Sequence, residues 1–526
     1  MRHMGRQGMV ASPHYLATAA GVNVLRRGGT AADAAIATNA VLATVTPHLC
    51  GMGGDLFALV YSAGDGTLTG LNGSGRAPAE ATPERVCALA GGDSMPERGP
   101  LPITVPGGVE AWGVLHERFC RLPFTDLLAD AIRYAEDGFP VSERFVASLR
   151  NFVPILHPET PALETFLPGG TALREGQILK QPRLARTLRA IAEDGTAVFY
   201  RGLIAHELVR SVRAVGGLLS SADLDEHRSE WVEPLSVQYR DVTVYELPPN
   251  SQGIVALLML ADLDHVPTDV LSSGGADYVH LLATAARLAY VDRDAHITDP
   301  MHMTMDPTEL LARRSAQPQA GIEIDRTPET VVNGEPGDTV YLCTADGEGN
   351  LVSLIESNYM GIGSGIMAGE TGVMLHNRGA WFSLEPGHAN VIAPHKRTMH
   401  TLMPGMAFRG GRPWLVFGTM GGSAQPQIHV QLLTRLIDQG LPLDAAIDAP
   451  RFDAVLGADH EGRPIIALED RFPRDMLSAL SDKGDAVREL EGYSSRVGHA
   501  HAIQVLDDGV YVGAADPRAD SLALGY

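Results

Sequence analysis

Two runs of residues joined by a tight turn constrain this chain more than any other stretch. Gly337-Asp338-Thr339-Val340-Tyr341-Leu342-Cys343-Thr344-Ala345 and Leu351-Val352-Ser353-Leu354-Ile355-Glu356-Ser357-Asn358 are rich in β-branched and apolar residues. Asp346-Gly347-Glu348-Gly349-Asn350 between them supplies residues that tolerate turn dihedrals, so the stretch reads as a β-hairpin. With the turn centred near Glu348, Thr339 falls opposite Ser357 to within a residue or two. A threonine at the start of one strand then faces a serine on the next. Two facing hydroxyls are by themselves an ordinary hairpin pair, so their meaning depends on what else converges there.

Composition narrows the setting. The 526 residues are 45% hydrophobic and 20% charged, ordinary values for a chain that buries a large core. A net charge of −22 counts against nucleic acid and against an anionic membrane, because both need clustered Lys and Arg. Cys50, Cys87, Cys120 and Cys343 are widely spaced with no CxxC pair, which argues against a disulfide framework or a thiolate metal site. Residues 1–8 hold no apolar signal core, and no apolar run is long enough to span a membrane. The expectation is a soluble, cytoplasmic protein.

Along the chain, Thr30 and Asp33 mark the start of an alanine-rich buried helix that ends before Pro47. Gly51-Met52-Gly53-Gly54-Asp55 then precedes a strand at 56–61, the wrong order for a dinucleotide fingerprint. Helical periodicity appears at 125–137, 204–215 and 277–295, with a strand pair at 235–239 and 242–247. From about 313 to 338 periodicity is lost and Gln, Pro, Glu, Gly, Thr and Asn dominate, which predicts an exposed, mobile connector ending at Thr339. Further on, a strand at 414–418 runs into Thr419-Met420-Gly421-Gly422-Ser423 and a helix whose apolar face includes Ile428, Leu432 and Leu436. That placement sets the Gly421-Gly422 amides at a helix N-terminus, where the dipole favours negative charge. Alternating helices and short strands predict sheets covered by helices.

The chain contains no G-x-S-x-G elbow, Walker loop or HExxH. His499-Ala500-His501 lacks a third ligand at metal spacing. A threonine whose own α-amine serves as base needs less: a strand start, a cut before it and oxyanion donors nearby. The connector ending at Asp338, then Thr339, supplies the first two, and Gly421-Gly422 is the candidate for the third. Arg76, on the small-residue loop Gly73-Ser74-Gly75-Arg76-Ala77-Pro78, has room to grip a carboxylate.

At these residues the chain resembles the γ-glutamyltranspeptidase family of N-terminal-nucleophile hydrolases. The motifs that carry the resemblance occur in order: residues 28–35, Val105-Pro106-Gly107, residues 339–350, Gly363-Ser364-Gly365, Lys396-Arg397, residues 420–423 and Ala449-Pro450-Arg451-Phe452. The resemblance implies an α+β fold, a four-layer αββα sandwich of stacked antiparallel sheets flanked by helices. It implies one precursor cut between Asp338 and Thr339 into residues 1–338 and 339–526, a large and a small subunit paired as one intertwined unit, with no cofactor and no metal. Thr339 would be the nucleophile and its freed amine the base. Ser357 would contact that amine, Gly421 and Gly422 would form the oxyanion hole, and Arg76 would hold a substrate carboxylate.

Departures from the family pattern bear on substrate. Members that act on γ-glutamyl compounds place an acid two residues before the serine of the segment Ala380-Trp381-Phe382-Ser383, to hold an ammonium; here those positions are Ala380 and Trp381, and neither can form an ion pair with it. The paired serines of the carboxylate site are replaced by His400 and Thr401. The segment 377–382, with Arg378, resembles the sub-branch that includes oxamate amidohydrolases, which makes Arg378, Trp381, His400 and Thr401 substrate-binding candidates beside Arg76. The expected substrate is a small carboxylate-bearing amide such as oxamate. A γ-glutamyl compound, another acyl amide, and an inactive unprocessed homologue are the alternatives.

Overall fold

In the computed structural model, which describes residues 2–317 and 337–526, the hairpin is formed by the strands Asp338–Asp346 and Leu351–Tyr359. They lie at the middle of a seven-stranded antiparallel sheet whose order is Leu522–Gly525, Gly8–Ser12, Asp338–Asp346, Leu351–Tyr359, Asp55–Ser62, Thr67–Gly73, Glu230–Val232. A second seven-stranded antiparallel sheet runs Arg2–Gly5, Tyr511–Ala515, Ala500–Val505, Arg412–Thr419, Gly405–Arg409, Val242–Glu246, Leu235–Tyr239.

The period-two alternation of the hairpin explains how the layers stack. Tyr341, Cys343 and Ala345 join Met406, Val416 and Ile503 of the other sheet in a core between the two sheets. Val340 and Leu342 point the other way, into a core with the helices Ala31–Val45, Gly108–Phe119 and Phe124–Asp137. Helices Gly253–Leu263, Ala276–His296 and Gln425–Ile437 cover the outer face of the second sheet. Helices, sheet, sheet and helices give the expected four layers, and the hairpin is buried on both faces.

The alanine-rich helix is fixed to the hairpin at its start. Thr30 and Asp33 form a capping box, and the hairpin-turn residue Asp346 accepts the Ala31 amide at 2.9 Å. The Gly51–Gly54 motif serves close backbone approach rather than phosphate. A Cβ on Gly54 would lie 2.4 Å from the carbonyl oxygen of Ser357, so glycine lets this loop run against the second hairpin strand.

One expectation needs correction. Residues 313–316, assigned to the connector, close the helix Pro307–Ala316, and Asp338 already belongs to a strand. Most of the remainder of that connector, 318–336, lies outside the described residues. Among the described residues no helix is long and apolar enough to cross a membrane.

Candidate active site

Thr339 and Ser357 are brought side by side by an irregularity in the ladder. Val340 pairs with Glu356 but Asp338 pairs with Tyr359, so one residue on the first strand faces two on the second. Such a bulge re-aims side chains. Here it joins the Thr339 hydroxyl, which is buried, to Ser357 Oγ at 3.1 Å. Ser357 Oγ in turn donates to the carbonyl oxygen of Asp338 at 2.6 Å and accepts the Tyr359 amide at 2.7 Å. The chain Thr339 Oγ, Ser357 Oγ, Asp338 carbonyl thus runs across the one peptide bond at which a cut was expected. A donor on that carbonyl stabilises the negative charge that attack would place there.

The Asp338 carboxyl is pushed up to about 6 by burial, against a hydrogen bond from the Gly361 amide and the nearby charge of Arg98. Arg98 donates to the carbonyl oxygens of Met360 and Gly361, at 3.1 and 2.8 Å, and to that of Gly363, pinning the turn on which the carboxyl rests.

Gly421 and Gly422 follow the strand Arg412–Thr419 and lead through the 3-10 turn Gly422–Ala424 into the helix Gln425–Ile437. Their φ angles of 136° and 55° are both in the region that favours glycine. Gly337 lies directly on Gly422 and beside the Tyr359 ring: a Cβ on Gly337 would be 3.0 Å from Gly422 Cα and 3.6 Å from Tyr359 Cδ2. Gly337-Asp338 therefore occupies the ground between Thr339 and the two glycines.

Arg378 stands behind the same tyrosine, with its guanidinium 4.0 Å from the centre of the Tyr359 ring. It is 1% exposed, donates from Nη1 to Thr401 Oγ1 at 3.1 Å, and leaves Nε and Nη2 without partners. Burial pushes it down to about 10. A buried charge with so few hydrogen-bond partners is costly. Gln252 Nε2 ties this corner to the glycine turn by donating to the carbonyls of Thr401 and Gly422, both at 2.9 Å. Trp381 packs edge-on to Tyr359 at 5.9 Å, and both line a cavity of about 370 Å³. Glu97 and Asp294 reach the wall of that cavity, Asp294 already paired with Arg293 at 2.7 Å.

Other expected site residues lie differently. Both ring nitrogens of His400 are used inside the protein: Nε2 meets Asp55 at 3.0 Å and Nδ1 accepts the Leu402 amide at 3.2 Å. Arg76 is gathered with the acids Asp299 and Glu230 at 3.1 and 3.0 Å and with the His395 carbonyl. It lines a separate cavity with Asp223, Glu226 and His227. Sequence reading brought Thr339, Ser357, Gly421 and Gly422 together. It missed Tyr359, Gln252 and Arg98; Tyr359 ends the second hairpin strand, and Gln252 comes shortly after the strand pair at 235–247.

A family model described as gamma-glutamyltranspeptidase matches residues 17–526. The chain belongs to that family. Its fold is that of the N-terminal-nucleophile hydrolases, and it is an enzyme of that kind. A glutathione hydrolase-like proenzyme (YwrD) of Bacillus subtilis is 38% identical over 99% of both chains. The oxamate amidohydrolase proenzyme of Klebsiella pneumoniae is also 38% identical, over 100% of this chain and 99% of the relative. Among solved structures, a cephalosporin acylase from Bacillus halodurans superposes with a TM-score of 0.91 at 38% identity, covering 100% of this chain and 97% of that one.

Proposed function

We propose that this family member is an autoprocessed amidohydrolase that acts through an acyl-Thr339 intermediate on a small carboxylate-bearing amide. The observation that carries the reading is the hydrogen-bonded run from Thr339 Oγ through Ser357 to the Asp338 carbonyl. Attack by Thr339 Oγ on that carbonyl moves the acyl group from nitrogen to oxygen, and water then splits the ester. Residues 1–338 and 339–526 result, which accords with relatives named as proenzymes. The freed Thr339 amine becomes the base in reach of its own hydroxyl.

Once Gly337-Asp338 withdraws, the place beside Gly422 and Tyr359 falls to the substrate. Its carbonyl oxygen meets the Gly421-Gly422 turn, and its acyl group follows the former course of Gly337 towards Arg378 and Thr401. Two unpartnered guanidinium nitrogens there match a carboxylate. Arg378 thus takes the part that sequence reading gave to Arg76, whose charge is already shared with Asp299 and Glu230. His400 orients Asp55 and the 400–402 turn.

Oxamate fits this site, since it carries a carboxylate beside its amide and no ammonium that would need an acid at Trp381. Glu97 at the wall of the Trp381 cavity favours a second reading, a γ-glutamyl substrate whose ammonium meets that carboxylate. Steady-state kinetics on oxamate and on a γ-glutamyl anilide separates the two. Oxamate is expected to be turned over with the higher kcat/KM; comparable or better turnover of the anilide would reverse the assignment.

A further inference from the structure

The carbonyl groups of the glycine turn are held one by one. That of Gly421 accepts the Ala424 amide at 2.9 Å, and that of Gly422 accepts Gln252 Nε2 at 2.9 Å. The Tyr290 hydroxyl donates to that of Ser423. The Met420 carbonyl differs. Among the described residues no backbone amide reaches it, and its donor is the Thr419 hydroxyl at 2.7 Å. Thr419 is fully buried at the end of the strand Arg412–Thr419. Gly498 closes over the pair: a Cβ there would lie 2.4 Å from both the Thr419 hydroxyl and the Met420 carbonyl oxygen, and its φ of 80° suits glycine. On its amino side Met420 donates its own amide to the His499 carbonyl at 3.4 Å.

A trans peptide is planar, so a carbonyl held on one side fixes the N–H of the next residue on the other. The Gly421 carbonyl thereby sets the Gly422 amide through the main chain alone. The Met420 carbonyl sets the Gly421 amide, and there the turn relies on one side chain. Gly421, at φ 136°, has no Cβ to restrict that peptide to one orientation, so without a donor on the carbonyl the plane is free to turn over. Among the described residues no backbone carbonyl accepts the Gly421 amide, which leaves it available. We infer that Thr419 is a positioning residue for hydrolysis: its hydroxyl holds the Met420 carbonyl back and thereby presents the Gly421 N–H to the substrate oxygen. The inference rests on the reading of Gly421-Gly422 as the oxyanion hole. Thr419 serves the second reaction of Thr339 and not the first. In the uncut chain the Asp338 carbonyl takes Ser357 Oγ at 2.6 Å, so the self-cut has a donor that Thr419 does not set.

Thr419→Val and Thr419→Ser test this, with kinetics on whichever of oxamate and a γ-glutamyl anilide wild type hydrolyses faster. Both variants are expected to cut themselves completely, as intact mass reads. Thr419→Val is expected to lower kcat about tenfold with KM within about twofold, a part of the roughly hundredfold that outright loss of an oxyanion donor costs. Thr419→Ser, which keeps the hydroxyl, is expected to match wild type within about twofold. A merely structural threonine would instead affect self-cutting and hydrolysis together. If Thr419→Val does not accumulate as folded protein, Thr419→Ala takes its place. Wild-type kcat in Thr419→Val, or equal losses in the valine and serine variants, would overturn the inference. Gly421→Ala then shows what has failed. If it is inactive, the oxyanion reading stands and only the role of Thr419 is removed; if it is active, the oxyanion reading goes as well. If wild type hydrolyses neither compound, the crystal structure of processed Thr419→Val decides: a rotated Met420–Gly421 peptide supports the positioning role, and an unchanged one removes it.

Discussion

The loop that carries Arg76 and the turn that carries Arg378 hold the same functional group in opposite electrostatic states. Arg76 keeps 31% of its side chain exposed and shares its charge with Glu230 and Asp299. Arg378 is buried against Tyr359 with one hydroxyl for company. A satisfied guanidinium stabilises the fold, whereas one left short of partners in the interior destabilises it. An arginine on a loop of small residues is therefore weaker evidence of a binding site than an arginine whose donors are left over.

Substitution at the two positions is expected to separate stability from activity. Arg378→Met should lower kcat/KM for oxamate about a hundredfold, the scale of two charge-assisted hydrogen bonds lost to the transition state. The same variant should unfold at an equal or higher denaturant midpoint, gaining on the order of 1 kcal/mol because a poorly compensated buried charge is gone. Arg76→Met is expected to do the reverse. It should cost roughly 1 kcal/mol of stability, since the buried Asp299 loses a partner, and leave KM for oxamate within about twofold. A strongly raised KM in Arg76→Met with Arg378→Met unaffected would exchange the two roles.

A smaller effect sharpens the account of the Arg378 side. Trp381→Asp places a carboxylate where none now stands and should raise hydrolysis of a γ-glutamyl anilide several-fold, about 1 kcal/mol of ammonium binding, while oxamate turnover falls. No gain on the anilide would mean that Trp381 does not face the acyl group.

The smallest effect concerns pH. Burial pushes the Glu356 carboxyl, on the hairpin strand beside Ser357, up to about 8, partly offset by its hydrogen bonds to Asn39 and to the Gly51 amide. The protonated form is favoured in the folded protein, so its contribution is complete below the ordinary glutamate range and is lost as pH rises towards 8. Wild type should lose stability between pH 6 and pH 8 relative to Glu356→Gln, as chemical denaturation at the two pH values would read. Parallel behaviour of the two proteins would show that Glu356 does not titrate there.

Much of the fold was legible because local signals agreed. Turn residues, β-branched runs and alternation fixed the hairpin, and Thr30 with Asp33 marked the helix start that the capping box confirms. The facing of Thr339 and Ser357 followed from counting, although the bulge that aligns them leaves no mark in the residues. The Gly421-Gly422 turn was readable from a strand end followed by a helix start. Gln252 and the bare state of Arg378 were not, because the first depends on contacts between segments more than a hundred residues apart and the second on partners that are missing. The partners of Arg76 were hidden for the same reason, since Glu230 and Asp299 lie far along the chain from it.

The central claim is that Thr339 cuts the chain before it cuts a substrate. Intact-mass measurement of the purified protein tests this directly. The account predicts two fragments that meet between Asp338 and Thr339 in wild type, and a single uncut, inactive chain for Thr339→Ala. A wild-type protein that is fully active as one chain, or a Thr339→Ala protein that is still cut at that bond, would contradict it.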